Sequence, residues 1–490
     1  IANEDPNRNH IYNFSTESGD FSPENYTITT TSEITFQNII SLSNLNWEYG
    51  SPNYSNVVIV NFPSLDRIER NFTLKYEYSL REFNAPKLST IGGRLEMSNN
   101  NIEKFLLPSL LSIGFGGYLR GNENLNELDL SSWEKMRYND FEINQNNNLE
   151  LISIDSFFSV ENDNRQLSIY DNSILKTITF GTNESLDISI RIFRNPSLEN
   201  VTFLNLKNVK SGVIELESNE FLKEIRFPEL VSSNYFKEKD SWEEPELRIS
   251  GKSLETIFAP KLENFFKIRL RNNPSISEIT FPELMTIHKF IIIRDNANLS
   301  KIAMPKLKST GDKFYNENSF SIYSNQTLND INFNSLHKVY TSLTVENNQQ
   351  LDLNDFPCNL FVLVNDGLDC TFGDINVSNN LDDSYCFQDP SLIPPIDIQT
   401  VAAFNISSEQ AQSGGTITSF TKMKSRGVVW STSPNPTIEN DFFSENGSLN
   451  GSYDSYMYNL QPNTTYYFRA YGEDCNGVFY GNELQLTTLP

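Results

Sequence analysis

A short phrase of the form Pro-x-Leu, preceded by Phe, Ala, Leu or Met, returns along the chain at nearly constant spacing, and it constrains the fold more than any other feature. Neighbouring prolines are 22 or 23 residues apart in four intervals, and where the proline is lost the rest of the phrase persists. A fixed period of this length indicates a solenoid, in which each repeat packs against its neighbours. The prolines of the phrase are Pro63, Pro86, Pro108, Pro228, Pro260, Pro282 and Pro305.

Each repeat predicts strands rather than a helix. It has a short alternating run such as IRL or FSI, an Asn-rich corner, a Leu or Ile, and then the proline phrase. Alternation with period two indicates a strand with one buried face, and the proline stands where a helix would have to continue. We therefore expect an all-β fold, a β-solenoid with coils of about 22–23 residues. About thirteen coils between Val57 and Phe356 would form a rod roughly 60 Å long.

The Asn corner has a structural and a functional interpretation. An Asn side chain can bond free backbone groups and tolerates left-handed backbone angles, which suits a sharp turn. Glycan recognition by these residues is the alternative. Because one Asn recurs in nearly every coil, the structural interpretation is favoured.

Composition excludes several partners and supplies no cofactor motif. The net charge of −25 and the absence of Lys or Arg clusters argue against nucleic acid. No apolar run approaches the length needed to cross a bilayer. Asp-rich stretches such as LDDS at 381–384 do not match a calcium-binding loop, so no metal or cofactor is predicted.

The four cysteines are grouped toward the end of the chain. Cys358, Cys370 and Cys386 lie within 29 residues of one another, and Cys475 is near the C-terminus. Without a CxxC spacing a zinc site is not expected. The spacing fits a disulfide-stapled cap of an exported protein, in any of three connectivities, with free buried thiols as the alternative.

The repeat is interrupted twice. The interval from Pro228 to Pro260 is 32 residues, and the extra sequence, SSNYFKEKDSWEEPE at 232–246, contains Tyr235, Phe236 and Trp242. A smaller insertion, KSTGDKFYNENSF at 308–320, contains the aromatic residues Phe314 and Tyr315. Insertions in repeat proteins map to loops on one face, often the binding face, so these are the candidate partner-binding or ligand-binding loops. The alternative is that their aromatic side chains fold back onto the rod.

Catalysis is not predicted. The three histidines, His10, His288 and His337, are scattered, and a triad or metal site needs more convergent groups. A polysaccharide-active β-helix enzyme with a pair of carboxylates is the alternative, although no Asp or Glu stands out among the 63 acidic residues.

The repeats LSTIGGRLEMSNNNIEKF (88–105) and LENFFKIRLRNNPSISEITFPEL (262–284) resemble bacterial relatives of the receptor L-domain. These are leucine-rich-repeat-like, right-handed β-helices found in Bacteroidota cell-surface proteins, and the resemblance covers roughly residues 25–390. The Gly-Gly corner of that family is mostly replaced here, which predicts irregular coils. The resemblance also implies that Cys358 and Cys386 bracket the C-terminal cap as a disulfide.

The C-terminal part changes character. Alternating runs such as YYFRAY and LQLTT predict a small β-sandwich. The stretches at 426–440 and 460–488 resemble the fibronectin type III-like modules of Bacteroidota surface proteins. That resemblance makes Trp430 a core residue and Tyr466 a corner residue.

Five segments are expected along the chain. Residues 1–24 are predicted to be a flexible N-terminal tether, 25–356 the L-domain-like β-solenoid, 357–389 its C-terminal cap, 390–397 a proline-rich linker, and 398–490 the fibronectin type III-like domain.

The resemblance implies a non-enzymatic binding or accessory protein on the outer face of the outer membrane. The acidic tail resembles the segment that follows a lipidated cysteine, so we expect a peripheral lipoprotein subunit of a nutrient importer or outer-membrane assembly. Its partners would be surface proteins bound through the solenoid. An adhesin or a glycan-binding protein is the alternative.

Overall fold

A computed structural model describes most of the chain. The described residues are 10–12, 20–21, 33–48, 57–155, 165–181, 184–233, 244–311, 320–353, 361–363, 374–381, 396–419, 423–474 and 477–490. They form strands, turns and irregular segments with no α-helix.

The N-terminal part is a β-solenoid, as the repeat predicts, with coils of about 23 residues. Each regular coil contributes one strand to each of three faces of the rod, which we call A, B and C in the order in which a coil visits them. Paired strands on a face run parallel, and the face-A strands fall into sheets of six, five and three strands. Twelve face-C strands lie between Val57 and Leu353 among the described residues, which gives about 12 turns against the thirteen predicted. At about 4.8 Å per coil these turns span roughly 60 Å.

Face A carries the segment that leads into the proline phrase. Its strands are His10–Tyr12, Glu33–Phe36, Ile59–Asn61, Glu82–Asn84, Lys104–Leu106, Glu127–Asp129, Leu151–Ile154, Thr177–Phe180, Asn200–Phe203, Glu224–Arg226, Thr256–Phe258, Glu278–Thr280, Lys301–Ala303 and Asp330–Asn332.

Face B has the shortest strands. They are Ser41–Leu42, Arg67–Ile68, Thr90–Ile91, Ser112–Ile113, Lys135–Met136, Ser185–Leu186, Asn208–Val209, Ser232–Ser233, Ser309–Thr310, Lys338–Tyr340 and Phe361–Leu363, together with the first residues of two long strands that continue into face C.

Face C is formed by the alternating runs. Its strands are Asp20–Phe21, Asn44–Glu48, Phe72–Lys75, Leu95–Ser98, Gly117–Arg120, Phe141–Asn144, Gln166–Tyr170, Ser189–Phe193, Val213–Glu217, Glu246–Ile249, Asn264–Arg271, Thr286–Arg294, Phe320–Tyr323, Ser342–Glu346 and Asp374–Ser378.

Parallel register stacks identical positions of successive coils into columns inside the rod. Between Leu74 and Val345 one face-C column has at most 1% exposure at every position, so each of these coils buries its apolar side chain entirely between its neighbours. Burying such a side chain is worth about 1.5–3 kcal/mol. The column consists of Leu74, Met97, Leu119, Ile143, Ile169, Ile192, Leu216, Ile249, Leu270, Ile293, Ile322 and Val345.

Phenylalanines stack in the same way at the end of the face-A strands. The Phe36 and Phe62 rings are 4.7 Å apart, and Phe203 lies 4.7 Å from Phe180 and 4.9 Å from Phe227. Phe62 and Phe227 directly precede prolines of the phrase, so this position of the repeat is a buried core position.

The Asn corner forms a buried ladder at the end of face C, which confirms the structural interpretation. Each Asn Oδ1 accepts a hydrogen bond from the backbone N–H of the Asn one coil earlier, as from Asn122 to Asn146 at 3.2 Å. Its Nδ2 donates back to a face-C carbonyl of the preceding coil, as from Asn146 to Leu119 at 2.9 Å. The fully formed members, all at most 2% exposed, are Asn100, Asn122, Asn146, Asn172, Asn195, Asn219, Asn273, Asn296, Asn325 and Asn348.

The ladder has two irregular positions. Glu77 occupies the first one, where its backbone N–H donates to Asn100 Oδ1 at 2.8 Å. Gly251 replaces an Asn in the coil that follows the first insertion; its N–H still donates to Asn273 Oδ1 at 2.9 Å, but it provides no side-chain amide for Asn219.

The segments predicted to flank the solenoid partly continue it. His10–Tyr12 and Asp20–Phe21, within the predicted tether 1–24, pair in parallel with face-A and face-C strands. Phe361–Leu363 and Asp374–Ser378, within the predicted cap 357–389, extend faces B and C. The four cysteines lie outside the described residues.

The C-terminal part has two antiparallel sheets, consistent with the predicted β-sandwich. Trp430 and Tyr466 are both 5% exposed, and the backbone N–H of Gln461 donates to the Tyr466 hydroxyl at 3.0 Å, so both residues are structural as expected. The first sheet contains Asp397–Phe404, Ala411–Thr418 and Gly451–Met457; the second contains Ser425–Ser431, Phe442–Phe443, Thr465–Asp474, Gly477–Tyr480 and Leu484–Thr487.

Candidate functional site

The segment between a face-B strand and the next face-C strand, which we call the B–C corner, is where the repeat departs most from its pattern. The first insertion lies between Ser232–Ser233 and Glu246–Ile249, and the second between Ser309–Thr310 and Phe320–Tyr323. Both insertions therefore begin and end at the same corner of the coil, and their flanking strands are three coils or about 14 Å apart. Their aromatic residues, Tyr235, Phe236, Trp242, Phe314 and Tyr315, lie outside the described residues.

Two salt bridges are formed by Glu244, at the end of the first insertion. Glu244, its first described residue after the gap, contacts Lys267 at 2.5 Å and Lys289 at 2.8 Å from the next two coils. Burial alone would raise the pKa of Glu244, but the hydrogen bonds from the two lysines outweigh it and lower the pKa below its ordinary 4.5. An ionised carboxylate thus ties the end of the insertion to the next two coils.

The same corner carries an exposed aromatic pair farther toward the N-terminus. The rings of Phe115 and Tyr138 stack at 5.1 Å and are 47% and 42% exposed. The guanidinium of Arg165, itself 6% exposed, lies on the next coil, 5.2 Å from the Tyr138 ring. Aromatic and arginine side chains are the residue types that dominate binding energy at protein interfaces, and here the two aromatic rings are exposed while the buried Arg165 supports one of them.

Glycines allow this corner to project Phe115. Gly116 and Gly117 have φ values of +65 and +142, which L side chains rarely adopt. A Cβ on Gly117 would also lie 1.9 Å from the Leu95 carbonyl oxygen of the preceding coil. The backbones of the two coils pass so closely that only glycine fits at position 117. Phe115, which lies between Gly114 and Gly116, is turned outward.

Sequence reasoning missed this aromatic pair. Phe115 and Tyr138 are 23 positions apart, so only the coil register brings them together. The local signal was the stretch IGFGGY at 113–118, where a large apolar residue stands between glycines at a corner.

The outer surface of face C next to the corner is lined by alternating charges. Arg191 contacts Glu215 at 3.2 Å and Arg271 contacts Glu217 at 2.8 Å, while Arg269 lies 5.1 Å from the ring of Phe290. These contacts join side chains of different coils.

A second titratable group is buried at the N-terminal end of the Asn ladder. Glu77 is 7% exposed, and burial raises its pKa to about 7. Its carboxyl group stands where later coils have a neutral amide, which makes it a stability determinant rather than a partner-binding group.

The described residues group no metal site: nowhere among them do three or more His, Cys, Asp or Glu side chains come together to hold an ion. His337 Nδ1 is 3.0 Å from the Ser335 carbonyl oxygen, and His288 stacks near Phe266 at 6.4 Å. In the part of the chain that the structure describes, no helix is long and apolar enough to cross a membrane.

No protein family matches the chain, and no characterised protein matches it in sequence. Two solved structures of the sensor domain of the anti-sigma factor RsgI4 from Pseudobacteroides cellulosolvens are similar to a part of it. The short form is 20% identical and covers 20% of this chain and 97% of its own, with a TM-score of 0.16. The solution structure is 18% identical and covers 19% and 76%, also with a TM-score of 0.16. Scores of this size carry no argument about fold or function.

Proposed function

We propose that the chain is a non-enzymatic binding or accessory protein of the bacterial cell surface, which binds protein partners through the B–C corner of its solenoid. The proposal rests on one observation: the features that break the repeat pattern all occur at this one corner of the coil. The exposed Phe115–Tyr138 pair lies there, the strands that flank both insertions meet there, and Glu244 at the end of one insertion pairs with lysines of the next two coils.

The cellular setting of the proposal rests on the sequence resemblance. Receptor L-domain-like right-handed coils followed by a fibronectin type III-like domain suggest a Bacteroidota outer-membrane lipoprotein, a subunit of a nutrient importer or other outer-membrane assembly. The coil period and the two-sheet C-terminal part are compatible with that resemblance.

The experiment is affinity capture of the full chain from detergent-solubilised native outer membrane, followed by mass spectrometry. The test variant combines Phe115→Ser and Tyr138→Ser, and the control combines Leu151→Ser and Phe221→Ser. The control residues are 54% and 56% exposed but lie away from the B–C corner.

The proposal predicts a stoichiometric membrane partner that is retained by the control variant and lost from the test variant. Elution of the wild-type chain alone, together with recognition on a glycan array, would favour the adhesin or glycan-binding alternative. Turnover of a polysaccharide by the purified chain would contradict the non-enzymatic assignment.

A further inference from the structure

Three aromatic side chains lie exposed on the outward face of the first sheet of the C-terminal sandwich. Phe404, Tyr456 and Tyr458 are 39%, 46% and 50% exposed. The two tyrosine rings stack in parallel, 5.7 Å apart with an interplanar angle of 7°. Grouped exposed aromatic residues mark interaction surfaces far more often than single ones do.

Strand register arranges these side chains in a row. Phe404 is directly opposite Gln412, and Gln412 is directly opposite Tyr456. Opposite residues of antiparallel strands project from the same face, so an amide stands between two aromatic side chains over roughly 10 Å. Asn405 Nδ2 donates to Gln412 Oε1 at 2.8 Å and fixes the amide in one orientation.

A cleft of about 500 Å³ opens beside Tyr458 at the end of this row. Its two walls are residues 407–410 and 458–462, which are joined by the hydrogen bond from the Leu460 N–H to the Glu409 carbonyl oxygen at 2.9 Å. The cleft is therefore a formed feature of the fold. Hydroxyl and amide side chains predominate in its lining, which includes Ser407, Ser408, Gln410, Asn459 and Gln461.

We propose that this aromatic row and the adjoining cleft form a binding site for a neutral oligosaccharide. The apolar face of a sugar ring packs on an exposed aromatic side chain, while hydroxyl and amide groups exchange hydrogen bonds with the sugar hydroxyls. An anionic ligand is disfavoured, because residues 396–490 contain nine acidic and four basic side chains and the cleft lining includes Glu409.

The sugar site is independent of the partner surface proposed for the solenoid. The two surfaces lie on different structural units, and neither shares a residue with the other. Loss of sugar binding with retention of the membrane partner, or the reverse, would separate the two proposals.

The test is affinity electrophoresis of the full chain in native gels that contain a neutral polysaccharide: mixed-linkage β-glucan, xyloglucan, galactomannan or arabinogalactan. Polygalacturonate serves as the anionic comparison. The test variant combines Tyr456→Ala and Tyr458→Ala, and the conservative variant replaces both by Phe. The matched control combines Tyr76→Ala and Tyr78→Ala on the solenoid, where the rings are 47% and 53% exposed.

At least one neutral polysaccharide is expected to retard the wild-type chain, the control and the Phe variant, and the alanine variant should bind about tenfold or more weakly. Retardation by none of the four neutral polysaccharides would overturn the proposal. The proposal would also be overturned if the alanine variant were retarded as strongly as the wild-type chain, or if only polygalacturonate retarded the wild-type chain. Because all four tyrosines are exposed, unchanged circular dichroism is expected for every variant.

Discussion

Removing one rung of the buried Asn ladder should destabilise the solenoid far more than removing a neighbouring Asn. The stretch Gln145–Asn148 contains three consecutive asparagines, of which Asn146 is fully buried while Asn147 and Asn148 are exposed. Asn146→Ala and Asn148→Ala are therefore the same chemical change two positions apart.

The size of the stability loss expected for Asn146→Ala follows from the contacts of the Asn146 side chain. Its Oδ1 accepts from the N–H and the Nδ2 of Asn122 at 3.2 and 3.0 Å, and its Nδ2 donates to the Leu119 carbonyl oxygen at 2.9 Å. The Ala variant leaves the Asn122 N–H and the Leu119 carbonyl buried without these partners. Each such group costs about 1–3 kcal/mol, so we expect a loss of about 3–5 kcal/mol. Asn148→Ala should change stability by no more than about 0.5 kcal/mol.

Urea unfolding followed by circular dichroism measures the difference in stability between the two variants. Hydrogen exchange with mass spectrometry shows which coils are destabilised. Because solenoid stability is nearly a sum of repeat and interface terms, the loss of protection should centre on the coils that contain Leu119 and Asn146. Equal unfolding midpoints for the two variants would refute the ladder as a source of stability.

Three further changes test other parts of the fold. Glu77→Gln should remove one contribution to the pH dependence of folding stability. In the wild-type chain the pKa of the Glu77 carboxyl is raised to about 7, so its contribution to stability is complete below pH 4.5. The free energy of unfolding then falls by about 3 kcal/mol as the pH rises through 7 and the buried carboxyl ionises. Urea midpoints at pH 5 and pH 8 should therefore converge in the variant, and the same pH dependence in both proteins would count against this assignment. Gly117→Ala should lower thermal stability by about 2 kcal/mol or more, while Gly251→Ala, where a Cβ meets its nearest atom at 3.5 Å, should be near neutral; similar melting temperatures would contradict the close approach of the coils. Tyr466→Phe should cost about 0.5–1.5 kcal/mol by removing the partly buried hydrogen bond from the Gln461 N–H to the Tyr466 hydroxyl, and an unchanged unfolding midpoint of the C-terminal domain would argue against that bond.

The architecture of the solenoid was predictable because every coil repeats the same apolar positions. The period of the proline phrase and the alternating runs fixed the coil length and the strands of face C. The Asn corner was predicted as a turn, but the sequence did not show which residue of the corner takes the left-handed conformation and which joins the buried ladder. Asn99 takes the left-handed conformation with φ of 54°, whereas Asn100 turns inward and joins the ladder. In other coils Asp171 or Arg194 takes the left-handed position, so residue type alone does not show it.

The candidate site was predictable only in part, because it depends on contacts between distant coils. The sequence located the insertions, and the strands on either side place both at the B–C corner. The ion pairs of Glu244 join residues 23 and 45 positions away, which no local pattern reveals. In the same way, the row from Phe404 to Tyr456 exists only through the pairing of three strands.

Site-specific photo-crosslinking in native outer membrane tests the central claim most directly. A photoreactive phenylalanine analogue replaces Phe115 in one protein and Phe221 in another, because both side chains are exposed on the solenoid at 47% and 56%. We predict that one membrane protein crosslinks from position 115 at the B–C corner and not from position 221. Crosslinking from position 221 alone, or from neither position, would contradict the proposal that the B–C corner binds a protein partner.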